Sequence, residues 1–257
     1  MTGNQENKPD ILNEFDEESR LSNWLGYILW KAIKEFSDNM LEIDDESMEN
    51  LKLADEHLKS GSLIMFGNHP SMLEPMVLPV FFRKILSNLK EIAGPIAISH
   101  MEGFKGKVFR AFANKAKLTL SSVIRGKDIR KNEIHGEYKT EVNNYTQEII
   151  RKILAEAGNL VAMTPFGKRN EIGEKELTVK SGFIRYGKDI YGAFYLPFAI
   201  EKRGMKLFLR IGKIKKLGDV ARENNIDLIN ANPGSNEEKL LAEAMMNDWQ
   251  EWAQPNV

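Results

Sequence analysis

Short apolar runs and longer stripes with a three-to-four-residue repeat take turns along the chain. The runs at 63–66, 95–99, 118–124, 160–164, 194–200 and 206–211 have strand length and are bounded by Gly, Pro or charged residues. The stripes at 21–36, 79–92, 103–117, 137–157 and 237–252 predict helices; 43–59, polar and acid-rich, and 179–190, interrupted by Gly182 and Gly187, also read as helices. Pro79 is expected to kink or restart the helix it opens, and Gly158 to end the long helix before it. Arg203-Gly204 supplies the turn between the last two strands. Strands that alternate with helices predict an α/β fold. Residues 1–18 are polar and acidic and are expected to be disordered or frayed. The stripe at 21–36 carries Trp24, Tyr27 and Trp30, and it suits two situations, packing on the main domain or lying on a bilayer surface.

Composition narrows the chemistry. With 257 residues, 42% hydrophobic and 28% charged, the chain can bury a sizeable core, and the prediction is one large domain with appended helices. A formal net charge of −1 gives no basic field for nucleic acid. Cysteine is absent, which excludes disulfides, thiolate metal sites and a cysteine nucleophile, and fits a reducing compartment. The acidic N-terminus does not match a signal peptide, and no apolar run reaches the ~18 residues of a transmembrane helix.

The chemistry gathers just after the first apolar run. Gly67 closes that run, and Asn68, His69, Ser71 and Glu74 follow within seven residues, with Pro70 and Pro75 between and beyond them. A strand that ends in Gly and delivers reactive side chains to a helix is where open α/β proteins place their sites. On one continuous helix His69 and Glu74 would point about 140° apart, so they meet only if the chain turns between them. A carboxylate held against an imidazole fixes its tautomer and raises its basicity, and such a pair can take a proton from a hydroxyl. The same residues, Ser71-Met72-Leu73-Glu74, also match a helix capping box, in which Glu74 is simply a capping acid.

Two further strand ends carry cations. Arg125-Gly126-Lys127-Asp128-Ile129-Arg130-Lys131 suits either a solvated loop or a phosphate cradle. Pro165-Phe166-Gly167-Lys168-Arg169 is a second turn of Gly and cations, of the kind that grips anions. Other chemistries find no support. His57, His100 and His135 stand in unrelated segments without zinc-site spacing, Ser71 lacks a Gly-x-Ser-x-Gly elbow, and neither nucleotide-binding glycine motif occurs.

Four blocks in order resemble the glycerolipid acyltransferase family, which includes lysophosphatidic acid acyltransferase. They are Asn68-His69 with Glu74 five residues after the His; Arg125 and its basic neighbours; Pro165-Phe166-Gly167-Lys168-Arg169; and Lys180-Ser181-Gly182-Phe183 followed by Leu196-Pro197-Phe198-Ala199. The resemblance covers about residues 60–215. It departs from the family pattern at Glu74, where the family has Asp, at Phe166, where it has Glu, and at Lys168, where it has Thr. It implies an α/β fold with a mixed sheet flanked by helices and an N-terminal helical pair. The expected organisation is a helical region with possible membrane-surface contact at 1–60, a catalytic domain at 61–216 and a helical extension at 217–257.

The resemblance further implies transfer of a fatty acyl group from acyl-CoA or acyl carrier protein to a hydroxyl of a lysophospholipid or glycerol phosphate, in phospholipid biosynthesis. His69 would be the general base and Glu74 its orienting acid, with turn amides steadying the oxyanion. Asn68, Arg125, Gly167, Lys168 and Arg169 would bind substrate. No metal and no cofactor beyond the acyl carrier is required. The substrate class implies a cytoplasmic protein, peripheral on the inner face of a membrane, with 21–36 as its anchor. The Phe166 departure motivates two alternatives: a lipid- or partner-binding protein of the same fold without catalysis, and an acyltransferase for a non-phosphate acceptor.

Overall fold

A computed structural model describes residues 8–15, 19–71, 74–129, 134–165, 172, 179–190, 192–204 and 206–253. Among these, seven strands form one sheet: β1 (Leu41–Ile43), β2 (Ser62–Gly67), β3 (Glu91–Ala97), β4 (Leu118–Val123), β5 (Asn159–Met163), β6 (Ala193–Arg203) and β7 (Lys206–Ile211). Their spatial order is β1-β7-β6-β2-β5-β3-β4. Strands β2 to β6 run parallel to one another, and only the β6–β7 hairpin is antiparallel, so the sheet is mixed.

Side-chain alternation along β2 divides the core. Leu63 and Met65 face one layer, and Ile64 and Phe66 face the other. The first layer holds α1 (Arg20–Met40), α2 (Asp45–Leu58), α3 (Glu74–Ile85) and α4 (Gly103–Ala116). The second holds α7 (Lys139–Leu154), α8 (Gly182–Gly187), α9 (Leu217–Glu223) and α10 (Asn236–Ala253), after two single-turn helices, α5 (Gly126–Ile129) and α6 (Ile134–Glu137). The described segments 20–43 and 236–253 therefore belong to this architecture. β1 pairs with β7 beside the hairpin, and α10 buries Leu241, Met245, Met246 and Trp249 on the second face. Among the described residues no helix is long and apolar enough to cross a membrane.

Several element boundaries differ from the sequence pattern. The helix expected at 79–92 starts at Glu74 and stops at Ile85, with Pro79 inside it. Val77, Leu78, Val80, Phe81 and Phe82 are buried, and at about 1.5–3 kcal/mol each their burial outweighs the roughly 3 kcal/mol of an interior proline. The stop is tertiary: Asp55 of α2 accepts hydrogen bonds from Ser87 Oγ (2.7 Å) and the Asn88 amide (2.8 Å), which ends the helix and frees the chain to enter β3 four residues before the expected 95–99. The helix expected at 179–190 shortens to Gly182–Gly187, and β1 and α9 were not foreseen. Within the expected frayed N-terminus, Asp10–Phe15 forms a 3-10 helix that buries Ile11 and Leu12 against Ile98, Ile124 and Val142.

Candidate functional site

Parallel strands deliver their exits to one edge of the sheet. Two residues past each strand end stand His69 after β2, Pro165 after β5, Ser99 after β3 and Arg125 after β4. The chain leaves β2 for α3 in the first layer, whereas it leaves β5, the neighbour of β2, for α8 in the second. Departure to opposite faces at the carboxyl ends of two neighbouring strands is the arrangement in which open α/β sheets usually bind their ligands.

Gly67 and Asn68 prepare the exit. Gly67 lies opposite Phe198 of β6, and a Cβ there would overlap the Phe198 carbonyl oxygen. Only a glycine allows the two backbones this approach. Asn68 is fully buried, its Nδ2 donates to the Ile200 carbonyl (2.7 Å), and its Oδ1 accepts from the Ile200 amide (2.7 Å). The side-chain amide thus takes the place of a β2 peptide group against β6, while the main chain turns away toward His69. Where Asn68 was expected to bind substrate, the structure gives it a bond to Ile200 at each end of its amide.

The imidazole and the acid meet. His69 Nδ1 is hydrogen-bonded to Glu74 Oε1. Glu74 is buried, while the His69 side chain keeps 23% of its surface exposed. The same carboxylate accepts the Ser71 amide on Oε1 (3.2 Å) and the Ser71 hydroxyl on Oε2 (2.7 Å). The capping reading and the His-orienting reading are therefore one arrangement: Glu74 opens α3, ties the turn through Ser71 and holds the ring. In a neutral imidazole a carboxylate at Nδ1 favours the tautomer with the proton on Nδ1, the one a general base requires.

Three strand positions away, Arg125 is locked. Its Nε donates to Asp128 Oδ2 (3.0 Å) and its Nη2 to Asp128 Oδ1 (3.1 Å) and Ser99 Oγ (3.2 Å). Asp128 is buried and also accepts from the Arg125 amide (2.8 Å) and the Ser99 hydroxyl (2.7 Å). Burial pushes the Asp128 carboxyl up, but the hydrogen bonds from Arg125 and Ser99 outweigh it and hold the pKa at about 2. Because Ser99 leaves β3, the guanidinium leans from β4 toward the His69 side. Neighbouring strands lie about 4.8 Å apart, so the two exits are separated by roughly 14 Å before either side chain reaches inward. Gly167, Lys168 and Arg169 lie outside the described residues. The chain before them, at Pro165, accepts the Lys180 amide (2.9 Å), which brings the start of α8 to the β5 exit.

Ser99 and Asp128 are not among the site residues that the sequence points to. The signal for Asp128 was its place three residues after Arg125 in a turn, the spacing of a local ion pair; nothing in the sequence marks Ser99. Among the described residues no group of His, Asp or Glu side chains converges to hold a metal ion.

Fold and geometry together define an α/β protein with an imidazole–carboxylate pair and a fixed arginine on the exit edge of a mixed sheet. No protein-family model matches the chain, and no curated protein matches it.

Proposed function

We propose that the protein is an O-acyltransferase that moves a fatty acyl group from an acyl thioester to a hydroxyl of a lysophospholipid or glycerol phosphate. The reading is carried by the bond between His69 and Glu74 at the edge where β2 and β5 part. His69 Nε2 takes the proton of the acceptor hydroxyl, and the oxygen attacks the thioester carbonyl. The imidazolium is stabilised by Glu74 and returns the proton to the departing thiolate as the tetrahedral intermediate collapses. An ester and a free thiol result, with no covalent enzyme intermediate and no redox step. Arg125 supports the reading as a cation on the same edge, and Lys168 and Arg169, next in sequence after the β5 exit, would complete the phosphate site.

A thiol-release assay with several acyl-CoAs and with glycerol 3-phosphate or lysophosphatidate as acceptor tests the activity. Charge reversal, Arg169→Glu, is expected to lower turnover of these phosphate acceptors by about 10²-fold or more, the cost of replacing an attractive charge contact by a repulsive one at a phosphate. Turnover of a monoacylglycerol should stay unchanged. Equal losses with both acceptors would remove Arg169 from the phosphate site, and no thiol release with any acceptor would overturn the acyltransferase reading.

The same proposal places the protein peripherally on the inner face of a membrane. α1 packs on α4 through Gly26, where a Cβ would clash with Ala111, and on its other side leaves Leu21, Trp24, Tyr27 and Ile28 exposed. Exposed aromatics on one face of a helix suit the headgroup boundary. Trp24→Glu with Ile28→Glu should abolish most co-sedimentation with anionic vesicles. The melting temperature should stay unchanged, because neither side chain is in the core. Undiminished co-sedimentation would assign these residues another role.

A further inference from the structure

We infer that Asp128 and Ser99 are positioning residues that hold Arg125 as a preset phosphate anchor, with its Nη1 end presented to the acceptor. This rests on the acyltransferase reading above and deepens it. An arginine on a strand-exit turn would ordinarily sample many rotamers and lose that freedom on binding an anion. Here three contacts remove the freedom beforehand. Asp128 takes the Nε and Nη2 side of the guanidinium in bidentate fashion, and Ser99 Oγ fills the remaining position on Nη2 while donating its own hydrogen to Asp128. Nη1 has no partner among the described residues, and a quarter of the Arg125 side chain remains exposed. The plane of the fork is set by a carboxylate that is itself buried, and Arg125 stands at the same strand-exit edge as His69.

A purely structural ion pair would predict something different. Asp128 also caps its own turn by accepting the Arg125 amide, and an asparagine there keeps that acceptor while losing the charge and the second carboxylate oxygen. Asp128→Asn therefore separates turn stability from guanidinium orientation. Ser99→Ala keeps the bond from the Arg125 amide to Asp128 and removes one contact to Nη2 and one to Asp128 Oδ1.

The test measures KM and kcat with glycerol 3-phosphate and, separately, direct binding of glycerol 3-phosphate to the full chain by calorimetry, for wild type, Arg125→Ala, Asp128→Asn, Asp128→Glu and Ser99→Ala. Expected are a rise of about 10-fold in KM and Kd for Asp128→Asn, about the value of one oriented charged contact, and a rise of about threefold for Ser99→Ala. kcat and the KM for the acyl donor should be unchanged, and a monoacylglycerol should be acylated normally. Asp128→Glu should recover part of the affinity. If Arg125→Ala weakens glycerol 3-phosphate while Asp128→Asn and Ser99→Ala do not, the positioning role is overturned and the acyltransferase reading stands. Equal loss of kcat with every acceptor in Asp128→Asn would make the residue structural. A wild-type chain that neither binds nor acylates glycerol 3-phosphate would remove the phosphate-acceptor reading, and this inference with it.

Discussion

His69→Ala is expected to lower acyl transfer by about 10³-fold or more while the far-ultraviolet circular dichroism and the melting temperature hold. A positioned general base contributes roughly 10²–10⁴-fold. The imidazole is partly exposed and its loss opens no sealed cavity, so the fold should tolerate it. Glu74→Gln should cost about 10²-fold or more by another route. The amide can present its NH2 group to Nδ1, which drives the ring to the tautomer with a hydrogen on Nε2 and leaves no lone pair facing the acceptor. Nδ1 and the Ser71 amide share Oε1, so an NH2 group there also opposes the Ser71 N–H. The Ser71 hydroxyl can still donate to the Gln carbonyl, and a loss in kcat is expected together with a loosened turn. Turnover within about threefold of wild type in His69→Ala would refute the general-base assignment outright.

The α/β class and six of the seven strands were legible because burial on both faces writes strands as continuous apolar runs, and β2 and β5 read that way, while β4, at the end of the sheet, alternates weakly. What periodicity missed was decided by contacts distant in sequence. β1 is three residues long and exists because β7 offers a partner more than 160 positions later. The end of α3 is set by Asp55, a residue on another helix. Proximity of His69 to Glu74 required only the two prolines and a turn, so it could be argued locally. The role of Asn68 could not, because nothing in Gly-Asn-His-Pro announces a partner at Ile200. The same holds for Ser99, whose neighbours Arg125 and Asp128 arrive from the adjacent strand.

Asn68→Ala is expected to destabilise the protein by about 2–5 kcal/mol and to impair turnover together with stability. The substitution strips the Ile200 amide and carbonyl of their partners at a site with no exposed surface, and each buried orphan costs about 1–3 kcal/mol. For a chain of this length a loss of that size lowers the melting temperature by roughly 5–15 °C. The effect should reach the chemistry because Asn68 fixes the departure of the chain from β2 one residue before His69. β6 is also held two residues earlier by α10, where Trp249 Nε1 donates to the Phe198 carbonyl (2.7 Å). Asn68→Asp is a sharper version: it keeps an acceptor for the Ile200 amide, but it sets a carboxylate oxygen against the Ile200 carbonyl in a buried position and should be at least as damaging. A melting temperature within about 1 °C of wild type in Asn68→Ala would mean that β6 is registered against β2 without this side chain, and the exit geometry of His69 would then need another support.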